Sequence, residues 1–252
     1  MPAIKKENFG TLSNGQTASI YTLRNNKGNE LKVTDYGARV VSLRFRNKDF
    51  ENKFVLVGYD NVADYEKDDK GRGVVYVDGI ENLDKKIWDT SEHVEGVTFS
   101  TRDGDKEISV TYSISNDNEI SVKYEGKGVN DVTSSFTFSA DVMTNPDFKI
   151  FSDEFKGGNS GAWTLINKPA EVEFVEGMFG FDIGCPIDYY DAGLKNAAEI
   201  LSDEANMLLQ IYANQDKIHV DNADGGFAIK TSGSKFDNGV IKSQTVYVIK
   251  NK

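Results

Sequence analysis

The sequence predicts an all-β protein, a large antiparallel β-sandwich built as a single domain over residues 1–252. Runs rich in β-branched and aromatic residues recur along the chain, and Asn, Asp and Gly turn signals separate them. A hydrophobic content of 38%, with 15 Phe and 11 Tyr but only 4 Pro, fits a strand-rich globular core and argues against disorder. No long amphipathic helix interrupts the series.

The elements follow in order. Apolar and polar residues alternate at Ile20 and Thr22 and again at Leu31 and Val33, and Asn26-Lys27-Gly28 between them reads as a hairpin loop. In Tyr36-Gly37-Ala38-Arg39-Val40-Val41-Ser42-Leu43 a glycine interrupts a β-rich run, which marks a bulge or a close backbone approach. Glu66 to Gly73 is polar and glycine-bearing, hence a loop. Strands are predicted at Val94 to Ser100, Glu107 to Ile114 and Glu119 to Tyr124, with turns at Asp103-Gly104 and Asn116-Asp117-Asn118. Val132 to Val142 is a further strand-like run. Gly193 to Glu204 is read as one short helical turn at most, and Gln244 to Lys250 as a closing strand.

Charge narrows the function classes. A net charge of −11 repels phosphate backbones, and no cluster of Lys and Arg interleaved with aromatics offsets it, so nucleic acid is not an expected partner. No apolar run has the length to cross a bilayer, and no membrane partner is expected. The single cysteine, Cys185, cannot close an internal disulfide, and the amino terminus lacks an apolar signal segment; both point to a cytoplasmic home. Clustered His, Cys, Asp and Glu at metal spacing are missing, so neither a metal nor a cofactor is expected. The histidines, His93 and His219, and Cys185 are read as structural residues, with Cys185 a packed or idle thiol.

The stretch from Ile20 to Tyr65 resembles the amino-terminal signature of the galactose mutarotase (aldose 1-epimerase) family. Its counterparts here are Ile20-Tyr21-Thr22-Leu23, Asn26-Lys27-Gly28, Asp35-Tyr36-Gly37-Ala38, Val41-Ser42-Leu43 and Val55-Leu56-Val57-Gly58-Tyr59-Asp60 through Asp64-Tyr65. Asn82 to Trp88 is similar to the family's GFDKxxW, and Ser109 to Glu125 to its VTYxLxxDNELxxxYE meander. Weaker likenesses follow at Phe148 to Phe155, at Val175 to Asp182 and from Ala197 into Gly226 to Thr231. The resemblance implies the family's β-supersandwich.

Mutarotation needs a base at the anomeric hydroxyl and an acid at the ring oxygen, each with a pKa near the working pH. The resemblance assigns those roles to histidines and a glutamate, but the matching positions carry Val77, Ser135 and Lys230. Most of the family's stretch around Gly71 is absent, which is expected to widen the cleft. No counterpart of its YDHNF segment is found, although Asp188 and Asp191 lie nearby.

The leading expectation is therefore a catalytically impaired aldose 1-epimerase-like protein whose former active-site cleft binds a carbohydrate or another small ligand near Tyr76, Ser135, Thr137, Asp182 and Lys230. Two alternatives stand beside it. One is an active aldose or sugar-phosphate 1-epimerase with a non-standard acid–base pair around Lys230. The other is a structural or interaction module with a filled cleft. Trp88, Trp163, Phe174, Phe179, Phe181, Tyr189 and Tyr190 could stack on a sugar, though aromatics in a sandwich are more often core.

Overall fold

The chain opens with β1 (Ala3–Thr11), β2 (Thr17–Arg24), β3 (Glu30–Thr34), β4 (Arg39–Arg46) and β5 (Asn52–Phe54), which pair in that order as an antiparallel five-stranded sheet. Turn chemistry sets this layer. Gly28, at φ +83°, lets the chain reverse between β2 and β3, and the resulting register pairs Tyr21 with Val33 and Leu23 with Leu31. All four side chains are fully buried, so a slip by one residue would turn the whole set to solvent. Gly37 makes the close approach expected of it: at φ +71°, a Cβ there would lie 2.5 Å from the Asp84 carbonyl oxygen. The computed structural model describes residues 3–144, 146–150, 163–164, 172–173, 193–215 and 217–252.

A short helix, α1 (Val62–Lys67), follows. Asn61 caps it by accepting from the Asp64 amide at 3.0 Å, and its Val62 and Tyr65 are buried. The loop expected from Glu66 thus begins after Lys67, because this cap and the buried pair stabilise one and a half turns that polar composition alone conceals. Then come β6 (Val75–Val77), a 3-10 turn (Leu83–Lys85), β7 (Asp89–His93), β8 (Gly96–Asp103), β9 (Lys106–Ile114) and β10 (Glu119–Lys127). The predicted turns are present: Gly104 has φ +63° and Asn118 φ +67°, and the Ser115 hydroxyl accepts from the Asp117 and Glu119 amides.

The remaining strands are β11 (Val132–Ser139), β12 (Asp147–Ile150), β13 (Trp163–Thr164), β14 (Val172–Glu173), β15 (Lys195–Ser202), β16 (Met207–Ala213), β17 (Lys217–Ala223), β18 (Gly226–Ser232), β19 (Phe236–Asp237) and β20 (Val240–Asn251). β15 corrects the reading of Gly193 to Glu204 as a helical turn. Its backbone is laddered on both sides, with Ile200 opposite Phe148 and Leu209, and Ala198 and Ile200 are fully buried. Alanine's helical preference is worth less than about 1 kcal/mol per residue, and two ladders with a buried face outweigh it.

A ten-stranded sheet runs β13-β12-β15-β16-β20-β10-β9-β8-β7, with β19 on β20, and a second five-stranded sheet runs β14-β17-β18-β11-β6. Both smaller sheets stack on the large one. Tyr21 meets Phe99 edge-on at 5.6 Å, and Phe136 stacks on Tyr247 at 4.3 Å; each such pair contributes about 0.5–1.5 kcal/mol beyond area burial. One hydrophobic cluster holds all these rings, together with Trp88, whose Nε1 donates to the Leu83 carbonyl at 2.8 Å. Trp88 is therefore core, not a ligand platform. Among the described residues no helix is long and apolar enough to cross a membrane.

Candidate functional site

The period of two along β11 builds the site. Phe136 and Phe138 point into the core, where they stack on Tyr247 and Phe227. Ser135 and Thr137 consequently share the opposite face with their neighbours on β18, Lys230 opposite Ser135 and Ala228 opposite Thr137. On the other flank β6 places Tyr76 opposite Thr133. Lys70, Arg72, Ser135, Thr137, Asp224 and Lys230 line a cavity of about 170 Å³ on this face.

Four of the five ligand-binding residues expected from sequence come together. Ser135 and Thr137 are buried in the cavity floor, and Lys230 is half-buried beside them. Tyr76 lines an adjoining recess of about 470 Å³ and remains 44% exposed, with the Lys230 ammonium 5.9 Å from its ring centroid. Partial burial pushes the Tyr76 hydroxyl up. Val77 alternates to the other side, packs in the hydrophobic cluster, and borders the recess and not the cavity of Ser135 and Lys230. Asp182, Cys185, Asp188, Asp191 and the aromatics Phe174, Phe179, Phe181, Tyr189 and Tyr190 lie outside the described residues.

The register adds a residue read from sequence as merely structural. His219 on β17 stands directly opposite Lys230 and so shares its face, with Nε2 3.1 Å from the Ser232 hydroxyl. His93 ends β7 far along the large sheet, where its Nε2 lies 2.7 Å from the Thr98 hydroxyl.

The wall of the cavity is the loop after α1, and a buried ion pair shapes it. Arg39, on β4, is fully buried; its Nη1 donates to Asp68 at 2.8 Å and to the Arg72 carbonyl at 3.0 Å, and its Nη2 to Asp84 at 2.9 Å. Asp68 also accepts from the amides of Lys70 and Arg72, each at 3.0 Å, which curls the loop. Burial pushes the Asp68 carboxyl up, but the Arg39 hydrogen bond and the two amides more than reverse this, and it titrates below the usual carboxylate range. Lys85 ties the helix end by donating to the carbonyls of Tyr65, Glu66 and Asp68.

Sequence reasoning missed the residues that this loop presents. Arg72 lies over the Tyr59 ring at 4.6 Å and reaches Asp224, in the turn between β17 and β18, at 2.9 Å. The two are 152 positions apart, and no local pattern joins them. Lys70, in the same loop, had no signal beyond its charge.

The architecture is shared with solved structures. It is similar to a GalM/aldose epimerase homologue from C. elegans, with a TM-score of 0.68, 14% identity, and coverage of 100% of this chain and 99% of that one. It is likewise similar to a galactose 1-epimerase from Lactobacillus acidophilus NCFM, with a TM-score of 0.72, 12% identity, and the same coverage of 100% and 99%.

The fold is that of the galactose mutarotases.

No family profile and no curated protein matches the sequence. At these identities the likeness concerns the fold, and chemistry on the mutarotase-like fold has to be read from the site itself. Of the positions that the resemblance links to acid–base work, Ser135 and Lys230 face one another across adjacent strands of this fold, and Val77 stands apart from them. Among the described residues no three His, Cys, Asp or Glu side chains are grouped to hold a metal ion.

Proposed function

We propose that this is an aldose 1-epimerase-like protein that binds a carbohydrate or another small ligand in the cleft of Ser135, Thr137 and Lys230, and that it lacks the acid–base pair of mutarotation. The observation that carries the reading is the facing pair Ser135 and Lys230 on β11 and β18. A neutral hydroxyl and an ammonium occupy the places where the resemblance assigns an imidazole and a carboxylate. Neither is a base near neutral pH in its ordinary state. Both remain good hydrogen-bonding groups for hydroxyl-rich ligands.

Polarimetry of freshly dissolved α-D-galactose and α-D-glucose tests this. Relaxation in the presence of concentrated protein is expected to match that in buffer. A clear acceleration abolished by Lys230→Met would overturn the non-catalytic reading.

One observation favours a second reading, an active aldose 1-epimerase with a displaced acid–base pair. His219 shares the cleft face with Lys230, and an imidazole is the side chain best suited to proton transfer at neutral pH. This reading requires the acceleration to disappear in His219→Gln as well as in Lys230→Met.

A further inference from the structure

The cavity of Ser135, Thr137 and Lys230 is shut at one end. There Arg72, in the loop after α1, pairs with Asp224, in the turn between β17 and β18, at 2.9 Å and lies over the Tyr59 ring at 4.6 Å. The space behind this pair measures about 170 Å³, below the ~300–1,000 Å³ usual for sites that enclose a small molecule. The recess beside it measures about 470 Å³ and falls within that range. Lys70 lines both spaces, and the Lys230 ammonium of the cavity stands 5.9 Å from the ring centroid of Tyr76 in the recess. A ligand held at Ser135 and Lys230 therefore has its room to extend past Tyr76, away from the closed end. We propose that the ligand of the cleft is an uncharged disaccharide or longer saccharide, with one sugar unit at Ser135 and Lys230 and the next in the recess over Tyr76. The proposal rests on the reading above that the cleft is a carbohydrate site.

The recess offers what a neutral sugar unit binds to. The exposed part of the Tyr76 ring gives the C–H groups of a pyranose an apolar surface. That ring is held in place, its hydroxyl packed so closely on Gly71 that a Cβ there would collide with it. Little freedom thus remains for it to lose on binding. Glu81 and Asn82 line the same recess and are exposed, and the Asn82 side chain makes no capping bond to the 3-10 turn that it precedes. A carboxylate accepts from sugar hydroxyls, and an amide both donates and accepts. Charge points to a ligand without any. Arg72 is already paired with Asp224, and Asp68 and Asp84 with Arg39. The carboxylates of Asp69 and Glu81 in the recess disfavour an anion, while the ammonium groups of Lys70 and Lys230 disfavour a cation.

Isothermal titration calorimetry with D-glucose, D-galactose, maltose, cellobiose and lactose tests the inference. At least one disaccharide is expected to bind tighter than either monosaccharide by about tenfold or more, about 1.4 kcal/mol. Tyr76→Ala is expected to remove most of that advantage and bring the disaccharide down to the monosaccharides. Glu81→Ala, at an exposed position, is expected to reduce it without touching the fold, which a thermal melt verifies. Lys230→Met, in the cavity, is expected to weaken both kinds of sugar together. A disaccharide advantage that survives both Tyr76→Ala and Glu81→Ala would overturn the placement of the second unit in the recess. Monosaccharides binding as tightly as all three disaccharides would overturn the extended site and leave the cleft a monosaccharide site. Failure of all five sugars to bind would overturn the carbohydrate reading along with it.

Discussion

Arg39 and Asp68 form an ion pair at 2.8 Å in which neither side chain has any exposure to solvent. The pair lies between the first sheet and the loop that walls the cleft, so its strength bears on both stability and site geometry. Removing one partner strands the other, which costs about 3–5 kcal/mol in a buried pair. Arg39→Met is expected to destabilise the protein by that order in urea denaturation, and to weaken ligand binding by releasing the loop. A variant within about 0.5 kcal/mol of the parent would refute this account.

The same pair gives a pH dependence of definite sign. The Asp68 carboxyl titrates lower in the folded protein than in the unfolded chain, where a value of about 3.9 is ordinary. Its contribution is therefore complete above the unfolded value and is lost as pH falls through the folded one. Acid titration of stability should show a loss below about pH 4 that is reduced in Asp68→Asn.

Alkaline behaviour follows from tyrosines instead. Burial pushes the Tyr65 hydroxyl up to about 12, and those of Tyr112 and Tyr247 well above the ordinary value. Stability from these neutral hydroxyls is intact below pH about 10, the unfolded value, and is lost as pH rises through the folded ones. Absorbance titration of phenolate should therefore show fewer than the 11 tyrosines ionising before the alkaline unfolding step. All 11 titrating smoothly in a folded protein would contradict the burial described.

Gly37 should tolerate no side chain. Its left-handed φ costs an L-residue about 1–2 kcal/mol, and a Cβ would strike the Asp84 backbone at 2.5 Å or a little more. Since Asp84 also pairs with Arg39, Gly37→Ala is expected to lower the melting temperature and perturb the cleft together. An unchanged melt would show that the 3-10 turn yields freely.

The facing arrangement of Ser135 and Lys230 invites reconstruction. The double variant Ser135→His, Lys230→Glu sets an imidazole and a carboxylate opposite each other on β11 and β18. Trace acceleration of galactose mutarotation by polarimetry is expected, well short of an evolved enzyme because Val77 supplies no second imidazole. No acceleration in a correctly folded variant would argue against loss of catalysis by substitution alone.

Local chemistry made the hairpins legible. Gly28, Gly104 and Asn118 announce turns within a few residues of the strands they join, and alternation identifies the buried faces. Motif spacing singled out Ser135 and Lys230, and the register of β11 and β18 sets the two side by side. Arg72 and Asp224 could not be found that way, since only the closed sheet brings them within 2.9 Å. Composition alone hid β15, though the resemblance places a strand from Ala197: one of its ladders, with β12, comes from a partner distant in the chain, and the other closes a hairpin with β16.

The curl imposed on the loop by Asp68 also governs how proteases meet it. Lys70 and Arg72 lie in a polar, glycine-rich segment on the surface, the usual preference of trypsin. But cleavage requires an extended backbone, and here the Lys70 and Arg72 amides and the Arg72 carbonyl are all engaged, the last by a buried arginine. Digestion at these bonds thus waits on the parting of Arg39 from Asp68, which makes the nick a clock for the opening of the cleft wall.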